Sequence, residues 1–453
     1  MISFLAKHIG LRIIDVARKT RTVPILKVVK STEFDSIDAL ESLQLQRLKS
    51  LLIHCEKNVP YYQRIFAESG FSPESMTCVE DVKCLPVLTK DDIRANFEEL
   101  KATNFNDFRP RIKETGGSTG QPLKLYHDEL SHSTMWANIY RGFGFGGYRL
   151  GDKYLTIASG SLLPKKLKFG RNFYFLFQNS LIVPSYHLEQ DYVDQIADLI
   201  NKKKPKFIYG YSSSLLTFAR AVIASGREIH GLEAIFTTAD MLYPKQRKII
   251  EKAFGCSVFD NYGCPEAGVM TFECDQHDGY HYNMESCLIE IEDADASGVG
   301  RIISTNLTNY AFPVVRYDTG DVAAINRQGE CECGRSHNKV NSLLGRQRDI
   351  LTLSSGKMVH GAFFNHFPGF YDNEFIERYQ IIQTSVDEVY VHLQLEGSHS
   401  LAELDYIVGE LESVLDNLVK VTLVEGNFRD SAISKKHRTV ISDVDNMWTG
   451  EAL

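Results

Sequence analysis

The chain has 453 residues, 43% of them hydrophobic and 24% charged, and a formal net charge of −8. That length exceeds one ordinary core and implies two or three domains, while the composition is that of a folded globular protein and excludes a disordered or fibrous one. The acidic balance excludes general nucleic-acid affinity, which needs a basic face.

No apolar run approaches the roughly 20 residues of a membrane-spanning helix, and no leader with a small-residue cleavage site is visible, so a cytoplasmic location is expected. The nine cysteines follow no framework spacing, which suits reduced thiols or a metal site better than disulfides.

Residues 1–30 hold seven Lys or Arg and one acidic residue, with Leu5, Ile9, Ile13 and Val16 at helical spacing. A terminal helix packed on its own domain is expected; peripheral contact of this segment with the inner membrane or a partner is the alternative. From Leu40 to Leu100 the period is helical, broken at Pro60, Pro73 and Pro86, and Thr89 before Lys90-Asp91-Asp92 makes an N-cap for a helix entering Ile93.

Thr115-Gly116-Gly117-Ser118-Thr119-Gly120 places three glycines and three hydroxyls in six positions. Such a loop lets backbone N–H groups converge on an anion while hydroxyls add donors, so it suits phosphate. It is no Walker A loop, since no Gly-Lys-Ser/Thr closes it. Gly142-x-Gly144-x-x-Gly147 resembles a dinucleotide fingerprint but has a helical segment before it and a strand-like one after, the reverse of what that motif needs.

Strand-like and helical runs then alternate: Phe207 to Tyr211, Ser214 to Ala224, Ala234 to Thr237, Pro244 to Ala253 and Ser257 to Tyr262. The alternation predicts βαβ units and a parallel sheet, with ligands in the loops after the strands. Residues 288 to 353 read as β-rich. Beyond them, strands at Glu388 to Leu395 and Val419 to Val424 enclose a helix from Leu401 to Leu415, a separate α+β unit of normal small-domain size.

Thr115 to Gly120, Asn261-Tyr-Gly-Cys-Pro-Glu266, Arg316-Tyr-Asp-Thr-Gly-Asp321 and Gly345-Arg-Gln-Arg-Asp349 together resemble the ordered motifs of the adenylate-forming (acyl-CoA synthetase) superfamily. The phrases Asn58 to Tyr62 and Leu85 to Lys90 narrow the resemblance to the phenylacetate–CoA ligase branch and its relatives in capsular-polysaccharide clusters. It implies an α/β protein whose large N-terminal domain, residues 1–345 with a helical lead-in over 1–100, has mostly parallel sheets and a β-rich subdomain. A hinge at 346–349 and a small mobile α+β C-terminal domain, residues 350–453, follow.

The resemblance also implies roles. Thr115, Gly116, Gly117, Ser118, Thr119 and Gly120 would hold the ATP phosphates, and Glu266 would ligate Mg²⁺, a hard cation served by one or two carboxylates. Tyr262 with Gly263 would flank the adenine, near Asp240. Asp321 would take the ribose hydroxyls, since a carboxylate accepts two hydrogen bonds at once, and Arg346 would join the nucleotide site where the hinge begins, with Arg348 at the pivot. In Lys435-Lys436-His437-Arg438, Lys436 falls where the family's adenylation lysine lies, with Lys435 as the substitute.

Three departures from the family pattern are visible: Pro265 replaces a hydroxyl residue, Gln121 stands where many relatives have Lys, and no glycine precedes the lysine pair.

Cys274 and His281 with Cys331-Glu-Cys333-Gly334 offer three thiolates and an imidazole, the ligand set of a closed structural Zn²⁺ site, with His277 as the competing nitrogen. Some relatives carry cysteines here. The activity so implied joins a carboxylic acid to AMP with release of pyrophosphate and then passes the acyl group to coenzyme A. An amine or sugar acceptor, or a degenerate relative that only binds nucleotide, are the alternatives.

Overall fold

The computed structural model describes residues 2–114, 123–158, 170–184, 190–326, 331–347, 349–364, 367–371, 373, 375–429 and 438–446. Two large sheets organise the first 345 residues. One has five parallel strands, in the order Ser180–Pro184, Tyr154–Ala158, Phe207–Tyr211, Ala234–Thr238 and Ser257–Phe259. Its crossover helices Gln190–Lys203, Ser212–Ser225 and Pro244–Phe254 bury Ile196, Phe218 and Ile250 against one face. An aromatic layer of Phe143, Phe207, Phe236 and Tyr209 fills the other.

The second sheet has seven antiparallel strands, running from Cys287–Glu292 through Gly300–Asn306, Tyr317–Asn326, Lys339–Arg346, Tyr280–Tyr282 and Val269–Glu273 to Asn261–Cys264. The run Ser257 to Tyr262, expected as one strand, is therefore two: it leaves the parallel sheet after Phe259 and enters the antiparallel one at Asn261. Asp260 at the corner is 4% exposed and bonded from both sheets, by the Thr237 and Tyr280 hydroxyls.

The helical lead-in follows its local signals. Pro60 opens the helix Pro60–Ser69, and Thr89 caps Lys90–Ala95 in a reciprocal box with Asp92. Residues 2–31 form α1 (Ile2–Arg18) and α2 (Thr22–Ser31). Of the stripe expected to be buried in α1, Ile9, Ile13 and Val16 are 39%, 37% and 81% exposed, whereas Leu11 and Ile14 are buried. Gly10 decides the face, because a Cβ there would lie 1.9 Å from the carbonyl oxygen of Phe177 in the Gly170–Gln178 helix, so only glycine lets the two backbones approach. Gly142 plays the same part on the Glu129–Phe145 helix, where a Cβ would meet the Phe272 ring at 2.2 Å.

Beyond the large sheets, a four-stranded sheet in the order Lys420–Glu425, Glu388–Leu395, Ile376–Ser385, Val440–Ser442 carries the helix Leu401–Val414 on a core of its own. Arg438 Nε donates to Asp349 Oδ1 at 2.8 Å and Asn446 Nδ2 to the Gln347 carbonyl at 2.8 Å, tying this unit to the segment that leads into it.

A buried ion pair joins the layers. Arg141 and Glu285, with side chains 2% and 1% exposed, meet at 2.7 Å. Arg141 also donates to the Val29 carbonyl and to Asn283, and His337 approaches the same carboxylate at 3.2 Å. Burial opposes the charge, yet Arg141 and His337 hold the Glu285 carboxyl well below its ordinary pKa. Removing one partner of such a pair strands the other in a dry site. Arg141→Met should therefore lower stability by about 3–5 kcal/mol, read as a fall in the urea midpoint. Adding Glu285→Leu should recover part of the loss.

Candidate functional site

The antiparallel register places Asp321 directly opposite Arg346. Arg346 Nε lies 3.0 Å from Asp321 Oδ1, and Tyr262 donates its hydroxyl to Asp321 Oδ2 at 2.8 Å. Arg346 also donates to the Thr319 carbonyl at 3.1 Å. Its guanidinium is held above its ordinary pKa, by Asp321 first, with Tyr262, Cys264 and Glu266 adding to the effect. Glu266 and Asp321 thus share one electrostatic cluster around a single arginine.

The Tyr317 hydroxyl, buried beside Cys264, Glu266 and Arg346, has no hydrogen-bond partner among the described residues. A buried hydroxyl without a partner is costly, so a polar group entering the cleft would find a hydrogen-bonding partner there. Burial pushes the Cys264 thiol well up, which disfavours its thiolate form.

Glu266 sits in the one-turn helix Pro265–Ala267, half-buried, and Asn306 Nδ2 donates to its carbonyl at 3.5 Å. Asn309, three residues on, holds the base of the hairpin that leads into and out of residues 115–122: its Nδ2 donates to the Tyr126 carbonyl at 2.7 Å and its Oδ1 accepts from Asp128 N at 3.3 Å. The hairpin strands pair as far as Glu114 opposite Lys124. The residues expected to hold phosphate, Thr115, Gly116, Gly117, Ser118, Thr119 and Gly120, lie outside the described residues, as do Gln121, Arg348, Lys435 and Lys436.

Asp240 follows the parallel strand Ala234–Thr238 and accepts from the Ser213 hydroxyl at 2.6 Å. The next residue, Met241, packs its sulfur where a Cβ on Gly345 would be 3.6 Å away, so this loop adjoins Arg346. Tyr209, Phe218 and Phe236, aromatics of the same strands and helices, are core residues at 8%, 0% and 2% exposure.

One partnership was not legible in the sequence. The phrase Leu85 to Lys90 adds a bridge to the strand holding the Arg316-to-Asp321 motif: Leu88 N donates to the Arg316 carbonyl at 2.8 Å and Asp318 N to the Leu88 carbonyl at 3.0 Å. Arg316 is structural, pairing with Glu290 at 3.2 Å and Glu292 at 2.6 Å while donating to the Lys83 and Leu85 carbonyls. The result carries the Lys90 ammonium to the cleft, where it and the Arg346 guanidinium both stand 3.5 Å from where a Gly320 Cβ would lie. Tyr62 braces the segment that leads into the same strand, accepting from Val315 N at 2.9 Å.

A second cluster lies apart from the cleft. The ligand atoms of Cys274, His281, Cys331 and Cys333 all fall within 4.8 Å of one another. The Cys274 and Cys331 sulfurs are 3.7 Å apart, and Cys333 Sγ is 3.4 Å from His281 Nε2. Sulfurs ~2.3 Å from a tetrahedral ion would be about 3.8 Å apart, so the set suits a closed zinc site. His281 Nδ1 is held by the His337 carbonyl at 2.9 Å, which turns Nε2 toward the thiols. His277 is engaged elsewhere, 3.2 Å from Glu273.

No family model matches the chain. It is 26% identical over 364 residues to protein CapK of Staphylococcus aureus, covering 79% of each chain. It is also 26% identical over 421 residues to phenylacetate-coenzyme A ligase of Pseudomonas putida, covering 86% of this chain and 90% of that one. Among solved structures, 2-hydroxyisobutyryl-CoA ligase in the postadenylation state in complex with R3-HIB-AMP superposes with a TM-score of 0.70 at 19% identity, covering 91% of both chains.

A parallel sheet whose loops face the strand ends of an antiparallel one, with a small α+β unit beyond, is the fold this chain shares with that ligase, and the curated relatives support the adenylate-forming superfamily. Within it, the curated relatives are phenylacetate–CoA ligases and CapK.

Asp260, beneath the cleft, has a carboxyl raised to about 6 by burial and then by Glu273. A folded-state pKa above the ordinary 3.8 means that its contribution to stability is full below about pH 4 and is lost as pH rises through about 6. The wild type should carry this loss, at most about 3 kcal/mol, between those pH values. Asp260→Asn should lack it, as urea midpoints across pH 4–7 would show.

Proposed function

We propose that the protein activates a carboxylic acid with ATP, forming an acyl-AMP and pyrophosphate, and then transfers the acyl group to coenzyme A. The observation that carries this reading is the convergence of Tyr262, Asp321 and Arg346 with Glu266 in one cleft. The relatives called phenylacetate-coenzyme A ligase support it.

A carboxylate is a poor electrophile until its oxygen is joined to a good leaving group, and phosphoryl chemistry leaves the protein mainly positioning and charge neutralisation to do. Asp321, already accepting from Tyr262 and Arg346, is poised to accept two ribose hydroxyls instead. Tyr262 and Gly263 would flank the base, with Asp240 at the adjoining loop. Arg346 and Lys90 supply positive charge, and the Tyr317 hydroxyl a free donor, on the side where phosphate oxygens would lie.

Residues 115–120 would cradle the phosphates, and Lys436, or Lys435 in its place, would neutralise the reacting carboxylate and α-phosphate. Glu266 offers the single hard carboxylate that suits Mg²⁺, whose charge would offset that of the phosphates. The cysteine–histidine cluster would hold a structural Zn²⁺ remote from the chemistry.

Pyrophosphate release from ATP over a panel of acids, with coenzyme A compared against amines and sugars as acceptor, tests the reading. We expect release with some acids and AMP formation that needs coenzyme A. A folded protein that releases none with any acid would overturn it, and turnover with amines or sugars alone would move the acceptor to capsule chemistry. Glu266→Gln should lower kcat by about 10²- to 10³-fold. Asp321→Ala should act mainly through the KM for ATP, raising it roughly tenfold or more.

Purified protein should contain zinc by emission spectroscopy, and chelation or Cys333→Ser should lower its thermal midpoint. An unmoved midpoint would remove the metal from the account.

A further inference from the structure

The outer side of the N-terminal helices carries none of the residues assigned to the proposed reaction. Asp15, the only acidic residue among the first thirty, is 7% exposed. Its carboxylate accepts from the Thr20 hydroxyl at 2.7 Å and from the backbone N–H groups of Thr22 and Val23 at 3.0 and 2.8 Å. It therefore caps α2, and its charge is spent inside the turn.

What remains outside is aliphatic and basic. Val16, Val28, Ile9 and Ile13 are exposed at 81%, 48%, 39% and 37%. Arg12, Lys19 and Lys27 stand among them, exposed and without an ion-pair partner among the described residues. Val16 and Val28 look into a groove of about 1360 Å³ rimmed by these three cations and by Arg109. Glu129 on its wall is neutralised by Arg21 at 2.9 Å, and Asp107 is the one exposed acid there.

We propose that this face docks the protein on an anionic phospholipid bilayer. A chain of net charge −8 that concentrates unpaired cations around exposed aliphatic side chains on one helical hairpin has the polarity of an interfacial anchor. The aliphatic groups enter the headgroup boundary while the Lys and Arg stems reach lipid phosphates. Nucleic acid fits worse, because Val16, Val28, Ile9 and Ile13 would be left against water or sugar-phosphate. The buried side of both helices is already used, with Leu11, Ile14, Val23, Leu26 and Val29 in the aromatic core, so docking requires no unfolding.

The test is co-sedimentation of the full chain with phosphatidylcholine vesicles with or without phosphatidylglycerol. Binding should appear only with the anionic lipid and weaken as NaCl rises. Each basic side chain near such a surface is worth roughly a fivefold change in partition, so Arg12→Gln, Lys19→Gln and Lys27→Gln combined should weaken it on the order of a hundredfold. These side chains are exposed, and an unchanged thermal midpoint would show the triple variant to be folded. Val16→Asp with Val28→Asp should abolish binding even at low salt.

Failure to sediment with either vesicle, or undiminished binding by the triple variant, overturns the proposal. So would vesicle-free behaviour in which the same substitutions dissolve a dimer on size exclusion, which would assign the face to a second copy of the chain.

Discussion

The ion pair between Arg141 and Glu285 is the joint on which the cleft depends. A charge that has lost its water must recover its solvation from fixed dipoles, and here the carboxylate, the Asn283 amide, the Val29 carbonyl and His337 supply it from separate parts of the chain. The arrangement locks the helix over the parallel sheet, the lead-in and the corner of the antiparallel sheet in one relative position. In that position the loop after Thr238 adjoins the strand that bears Arg346.

The Arg316-to-Asp321 motif divides labour along one stretch of backbone. Arg316 clamps the Leu85–Lys90 segment and Asp318 fixes the turn by accepting from Gly320 N at 2.8 Å. Thr319 donates its hydroxyl to the Ile302 carbonyl at 2.9 Å and so holds the strand to its neighbour. Asp321, the last of the series, points into the cleft toward Tyr262 and Arg346. Most of the motif therefore serves geometry, while Tyr317 and Asp321 turn their polar atoms to the cleft.

The thiol–imidazole cluster is braced from the lead-in as well. Arg335, two residues after Cys333, pairs with Glu33 and lies 3.9 Å over the Phe145 ring. A metal held there would stiffen the loop that joins the Tyr317–Asn326 and Lys339–Arg346 strands, and these carry Asp321 and Arg346. The N-terminal hairpin is tied to the rest of the fold at Gly10, at Arg21 through Glu129, at Arg141 through Val29 and, just beyond it, at Arg335 through Glu33, and still leaves an outer face of its own.

What the chain's text determined unaided was whatever depends on near neighbours. Thr89 with Asp92, Pro60 and the strand–helix alternation from Phe207 to Phe259 follow from hydrogen bonds and side-chain periods that close within a few residues. The cysteine–histidine set was legible because metal chemistry restricts ligand type more than it restricts position. Three things were decided only by tertiary packing: the break of one expected strand at Asp260, the face that α1 buries, and the meeting of Lys90 with Arg346. Each turns on a contact between segments far apart in sequence, a hydroxyl from another sheet, a carbonyl against Gly10 or a bridge between Leu88 and Tyr317, and no local period encodes such a partner.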